Sequence, residues 1–253
     1  MSKNYQNLVM QATKPFALGA LLAVSLSMTA QANPSTESTN NVELPLQPYK
    51  ATYTAYKWGD DVGEANIELS KLGDKQYSLI YTSKVSKFFL SDKRSEHSIF
   101  TVDDNTVVPS EYYYNRSGTG PDKELKVTFS QQGQGKIAVE NGETFDWNGE
   151  FDNQIYRIDL AKQLAQGKTS LDYNFVNYRG ELRHYGVQVV DEEVLSLPFG
   201  KIETVKVKLI RDSNKRETFA WFAPSLNYTL VRLQQFKEGD EQGDIKLKSF
   251  ETQ

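Results

Sequence analysis

From Tyr49 onward, hydrophobic positions recur at every second residue. Ile67 and Leu69 alternate with Glu68 and Ser70, and Tyr77, Leu79 and Tyr81 with Ser78, Ile80 and Thr82. Tyr185, Val187 and Val189 alternate with His184, Gly186 and Gln188, and Val205, Val207 and Leu209 with Lys206 and Lys208. A period of two sends successive side chains to opposite faces, so each run predicts a strand with one buried and one wetter face. That is the habit of antiparallel sheets, which leave one side to water. Turn formers separate the runs: Gly59-Asp60-Asp61, Gly73-Asp74, Asp103-Asp104-Asn105, Gly133-Gln134-Gly135, Arg179-Gly180 and Gly239-Asp240. They predict hairpin connections and about ten to twelve strands.

One segment breaks the period. Asp152 to Gln166 reads as a helix, with Asp152 placed to cap the first amides and Gly167 where a helix commonly stops. At about 100° per residue, Tyr156, Ile158, Leu160, Ala161 and Leu164 cover one broad side, and Asp159, Lys162, Gln163 and Gln166 the other. Arg157 falls inside the apolar arc, as a structural charge that either snorkels to water or is partly buried beside an acidic partner. The predicted fold class is therefore all-β and mainly antiparallel. It is a curved sheet or partial barrel, lipocalin-like or half-barrel-like, with one helix packed on the concave side; a β-sandwich is the alternative.

The amino terminus carries a different signal. Lys3 and Lys14 lie in a polar start without acidic residues, Phe16 to Leu26 is apolar, and Ala30-Gln31-Ala32 is a small-x-small cleavage pattern. The apolar core is too short for a hydrocarbon layer that needs roughly 20 residues. Residues 1–32 thus predict a signal peptide cleaved after Ala32 and a periplasmic location. Residues 33–48, polar and interrupted by Pro45 and Pro48, predict a flexible linker; residues 49–253 predict a single β domain. No later run is long and apolar enough to be a transmembrane segment after leader cleavage.

Composition narrows the chemistry. The chain has no cysteine, which excludes lipid attachment at the leader boundary, thiol nucleophiles and cysteine metal sites. A formal net charge of −4 without a basic run speaks against a nucleic-acid partner. His97 and His184 are the only histidines and stand apart, so no metal site is expected. There is no Gly-x-Ser-x-Gly elbow, and nothing asks for a cofactor. Ser117-Gly118-Thr119-Gly120-Pro121 reads as a turn rather than a phosphate loop, because Pro121 removes a backbone donor.

Aromatic clusters are the remaining signal. Phe88-Phe89-Leu90, framed by Lys87 and Asp92-Lys93-Arg94, is either an apolar tip that rims a cavity or touches a membrane, or part of the core. In Tyr112-Tyr113-Tyr114 alternate rings point to opposite faces, lining a pocket or packing across strands. Phe219 and Trp221 share a face.

Four stretches in order resemble the DUF3108 family of exported bacterial proteins of unknown function. They are Tyr112 to Gly120, Asp152 with Tyr156-Arg157-Ile158-Asp159-Leu160, Leu197 to Val205, and Trp221 to Tyr228. The resemblance covers Tyr49 to the carboxyl terminus and implies a secreted β-rich domain, with no catalytic residues to carry over. Members often place a proline after the tyrosine that ends the tryptophan turn, where this chain has Thr229 and Leu230.

The expectation is a non-enzymatic binding or carrier protein for a lipid or other amphipathic molecule, its cavity walled by Tyr112, Tyr114, Tyr156, Leu160, Phe219 and Trp221 and rimmed by Phe88 and Phe89. An envelope assembly factor with a filled core and a protein partner is the alternative, and a hydrolase built on serine, histidine and an acid is the third reading. A continuous apolar void beneath the helix speaks for carriage; a solid interior speaks for a protein partner.

Overall fold

The computed structural model describes residues 46–87, 89–103, 105–213 and 215–253. The leader, most of the linker and Phe88 lie outside the described residues. In chain order the strands are β1 (Tyr49–Lys57), β2 (Asp60–Lys71), β3 (Gln76–Lys87), β4 (Leu90–Asp103), β5 (Thr106–Gly118), β6 (Lys123–Ser130), β7 (Lys136–Val139), β8 (Thr144–Asp146) and β9 (Phe151–Asp152). After helix α1 (Tyr156–Ala165) come β10 (Ser170–Val176), β11 (Leu182–Leu197), β12 (Gly200–Ile210), β13 (Arg216–Ala223), β14 (Thr229–Lys237) and β15 (Asp240–Thr252). The strands exceed the number predicted because β7, β8 and β9 run only 4, 3 and 2 residues, too short for an alternation to register.

All fifteen strands form one sheet, ordered β8-β7-β6-β5-β4-β3-β2-β1-β15-β14-β13-β12-β11-β10-β9. Every neighbouring pair is antiparallel except β9 and β10. The order forces curvature. Laid flat at roughly 4.8 Å per strand, the sheet would be about 65 Å wide. Yet its two edges, β8 and β9, are joined by residues 147–150, a link that reaches about 18 Å at most. The sheet therefore curls until its edges approach, without pairing to each other.

Side chains bridge that seam. Tyr112, Tyr114, Val127, Phe129 and Ile137 from one flank pack with Val176 and Tyr178 from the other, and the Tyr114 and Tyr178 rings lie 5.3 Å apart.

Helix α1 lies on the concave side, where Tyr156, Ile158, Leu160 and Leu164 join the main core with Tyr53, Leu69, Phe100, Phe175 and Phe222. The helix begins later than predicted. Asp152 Oδ1 accepts the amides of Gln154 and Ile155, at 2.7 and 2.9 Å, and closes a turn ahead of the first helical residue. The far end follows the prediction: Gly167, at φ +79°, donates to Leu164 O and Lys168 donates to Gln163 O, the paired bonds of a glycine-terminated helix. Lys162 corrects the helical-wheel reading. It is 5% exposed rather than on a wet side, because strands surround the helix, and its Nζ donates to the Asn105 carbonyl in the β4–β5 turn.

A second layer covers part of the outer face. On β12, Val205, Val207 and Leu209 point inward opposite Phe222, Ala220 and Thr218, so Lys206, Lys208, Phe219 and Trp221 point outward. The distal half of the β11–β12 hairpin folds across this face, where the Phe199 amide donates to Leu247 O at 3.0 Å. Beneath it, Leu195, Ile202, Trp221 and Val231 are buried.

Candidate functional site

Among the described residues, a cleft of about 60 Å³ lies beside the helix. It opens at the end of the curl where the chain enters β1 and leaves β15. One wall is the helix, through Arg157, Ile158, Ala161 and Lys162. Ile67, Leu69 and Leu79 face it from β2 and β3, and Phe222, Leu230 and Phe250 from the carboxyl-terminal strands. Leu46, Gln47 and Pro48 lie along the mouth. This strap is held by Gln253 N donating to Pro48 O at 3.0 Å and Asn227 Nδ2 donating to Gln47 Oε1 at 3.4 Å. The opposite lip is the corner after β13, where Asn227 and Tyr228 take positive φ angles of 51° and 53°, an uncommon conformation for residues other than glycine.

Arg157 is half-buried on the inner side of the helix. Its Nη2 donates to Gln154 Oε1, its guanidinium lies 5.9 Å from the Tyr156 ring centroid, and its Nε is buried without an acceptor. The acidic partner weighed from the sequence is not there among the described residues; an amide and an aromatic face take its place. Its charge is felt nearby: burial pushes the Tyr49 hydroxyl up to about 12, and Arg157 pulls against that rise. Tyr53, raised well above its ordinary value by burial, feels the same opposing pull.

The residues nominated from the sequence are spread over four places. Tyr112 and Tyr114 belong to the seam, Tyr112 donating to Glu96 Oε2 at 2.6 Å. Tyr156 and Leu160 are on the helix but inside the main core. Phe219 and Trp221 are on the outer face, their rings 6.3 Å apart, with Lys206 over both and Arg232 4.5 Å from the Trp221 centroid. Phe89, 99% exposed, sits at the β3–β4 tip, at the opposite end of the strands from the cleft. None of them lines the cleft; Arg157, singled out only as a structural charge, does. A cation inside an apolar helical arc was the available signal, and the facing strands that give it meaning are distant in sequence.

Two further polar groupings bear on chemistry. Glu96 accepts from Tyr112 and from Asn153 Nδ2 at 2.7 Å, next to Asp152. Burial raises the Asp152 carboxyl to about 6, against its amide hydrogen bonds and with repulsion from Glu96. This network ties the seam to the start of the helix and is shut from solvent, Asp152 being 0% exposed. On the outer face Ser78 Oγ lies 2.9 Å from His97 Nε2, and burial holds the His97 pKa down. A serine–histidine hydrolase also needs a group orienting the second ring nitrogen, and an oxyanion site. His97 instead stacks on Tyr113 at 6.0 Å, the nearby Glu111 carboxylate accepts from the Tyr113 hydroxyl, and Ser78 is buried near the start of β3. Among the described residues no three His, Asp or Glu side chains converge as a metal site, and no helix is long and apolar enough to cross a membrane.

Over residues 48–246 the chain matches the family described as a protein of unknown function, DUF3108. Among solved structures it is similar to a β-barrel-like protein of the domain of unknown function DUF1849 from Brucella abortus. The two share 11% identity over 82% of this chain and 98% of that chain, with a TM-score of 0.57. A protein with a YmcC-like fold from Bacteroides fragilis shares 10% identity over 81% of this chain and 96% of that one, with a TM-score of 0.32. The likeness to the Brucella protein is one of fold: a barrel-like curled sheet. No curated protein matches the sequence.

Proposed function

This chain belongs to the DUF3108 family, and we propose that it is an exported, non-enzymatic envelope protein that holds an amphipathic ligand in the cleft beside α1. The observation that carries this reading is the cleft's make-up: apolar walls from β2, β3, β13, β14 and β15, with polar groups gathered at the helix and the mouth. A few precisely placed polar groups in an apolar recess are the usual form of a small-molecule site. The leader pattern of residues 1–32 supports this reading, because an exported envelope protein meets membrane-derived amphipaths.

Size sets the mode of binding. Small-molecule pockets measure about 300–1,000 Å³, against about 60 Å³ here. The cleft takes the end of a hydrocarbon chain as it stands, and a longer ligand enters as the Leu46–Pro48 strap lifts. Two backbone and side-chain hydrogen bonds hold that strap, each worth about 1 kcal/mol net, which is within reach of ligand binding energy. Incubation of the purified mature protein with a membrane extract, followed by native mass spectrometry, tests the reading. A reproducible adduct of small mass is expected; recovery of the bare mass alone overturns it.

The second reading is an envelope interaction factor, favoured by the small cleft and by the hairpin tips. Trp58 is 63% exposed at the β1–β2 turn, and Phe89 and Leu90 are exposed at the β3–β4 turn two strands away. Crosslinking in intact cells separates the two, since a reproducible protein adduct through these tips supports the second.

A further inference from the structure

Arg157 lines the cleft, and among the described residues no Asp or Glu does. Lys162 is held on a backbone carbonyl, that of Asn105. Arg157 uses one nitrogen on the Gln154 amide oxygen and leaves its Nε buried without an acceptor. Taking a guanidinium out of water without a counter-ion is strongly unfavourable, and a carboxylate is the partner its planar fork fits best. Around it stand Ile67, Leu69, Leu79, Phe222, Leu230 and Phe250, a surface for hydrocarbon and not for a second polar group.

We propose that the cleft recognises an alkyl carboxylate, its head paired with Arg157 and its chain laid on these apolar walls. The proposal rests on reading the cleft as a binding site and adds the charge and head group of the ligand.

Calorimetric titration of the full mature protein with octanoate, 1-octanol and octylammonium, each below its aggregation concentration, decides the matter. Octanoate is expected to bind at least about tenfold more tightly than octanol, a difference of about 1.4 kcal/mol, and octylammonium more weakly still. Arg157→Gln is expected to erase the preference for octanoate over octanol, and Arg157→Lys to retain much of it. Equal binding of all three by the wild type overturns the carboxylate proposal and leaves the cleft as a binding site. No binding of any of them overturns both. The wild-type series decides the outcome even where a variant fails to fold, and an Arg157→Gln protein with a native melting curve and an undiminished octanoate preference overturns the role of Arg157.

Discussion

Trp221 Nε1 donates a hydrogen bond to Glu193 Oε1 at 2.8 Å. Glu193 lies on β11, whose distal half folds over the outer face and brings the carboxylate to the indole. Lys206 approaches the same carboxylate at 3.2 Å, and Thr204 Oγ1 donates to the Glu193 carbonyl at 2.7 Å. This is the clasp that holds the folded hairpin against the barrel.

Trp221→Phe should loosen that clasp while keeping most of the buried ring. The loss of one hydrogen bond to a charged group predicts a cost of about 1.5–3 kcal/mol, read as a lower urea midpoint with an unchanged slope. The Glu193 carboxyl is held below its ordinary value, first by the Trp221 hydrogen bond. Such a group contributes stability above its unfolded pKa, lost as pH falls through the folded value. The stability difference between wild type and variant should therefore shrink as pH drops below about 4.5, the ordinary value of a glutamate carboxyl. A constant difference down to acid unfolding would falsify the clasp.

Asp152 titrates in the opposite sense. Its folded pKa is raised from 3.8 to about 6, so it favours the fold fully below the unfolded value and less as pH rises through the folded one. Asp152→Asn keeps an oxygen for the Gln154 and Ile155 amides and removes the titration. Wild type should lose up to about 3 kcal/mol relative to the variant between pH 4 and pH 7. Urea unfolding at four pH values in that range measures it, and parallel curves would show that Asp152 does not change charge there. The comparison must be made against the variant because Asp92, Glu111, Glu181 and Glu193, all with lowered values, give wild type an opposing slope.

Gly63 and Gly149 separate backbone strain from collision. Both have positive φ, +146° and +98°, but a Cβ on Gly63 would lie 2.1 Å from Lys84 O in the neighbouring strand, and a Cβ on Gly149 meets nothing within 4 Å. Gly149→Ala is expected to cost about 1–2 kcal/mol from conformation alone. Gly63→Ala should cost distinctly more, because the β2–β3 ladder must move. Thermal melts of the two variants rank them, and equal melting points would contradict the β2–β3 register.

His97→Ala tests the hydrolase reading. Loss of the Ser78 contact and the Tyr113 stacking predicts about 1–2 kcal/mol of destabilisation, with ligand capture and cellular role intact. A folded variant without its cellular role would return catalysis to consideration.

Much of the architecture was legible from local pattern. The alternation along β2, β3, β11 and β12 marks strands because side-chain period two is a property of the backbone itself, and Gly59, Gly167 and Gly239 occupy turns or a helix end with positive φ that few other residues tolerate. The helix around Leu160 was readable for a similar local reason. Alternation does not say which face becomes the inside. Phe219 and Trp221 were read correctly as sharing a face, but that face is outer, where Trp221 is buried beneath the folded hairpin, and it is their neighbour Phe222 that points to the inside.

Amino-acid order by itself determined strands, hairpins, one helix and the unusual placement of Arg157 within its apolar arc. Tertiary structure alone decided that the edges β8 and β9 approach, that α1 is surrounded so that Lys162 is buried, and that Arg157 meets Gln154 and Tyr156 in a cleft rather than an acidic partner. The physical reason is range. Backbone geometry and turn conformation act over a few residues, whereas the environment of a charge is set by strands such as β2 and β15, brought around it only when β1 pairs with β15 across most of the chain.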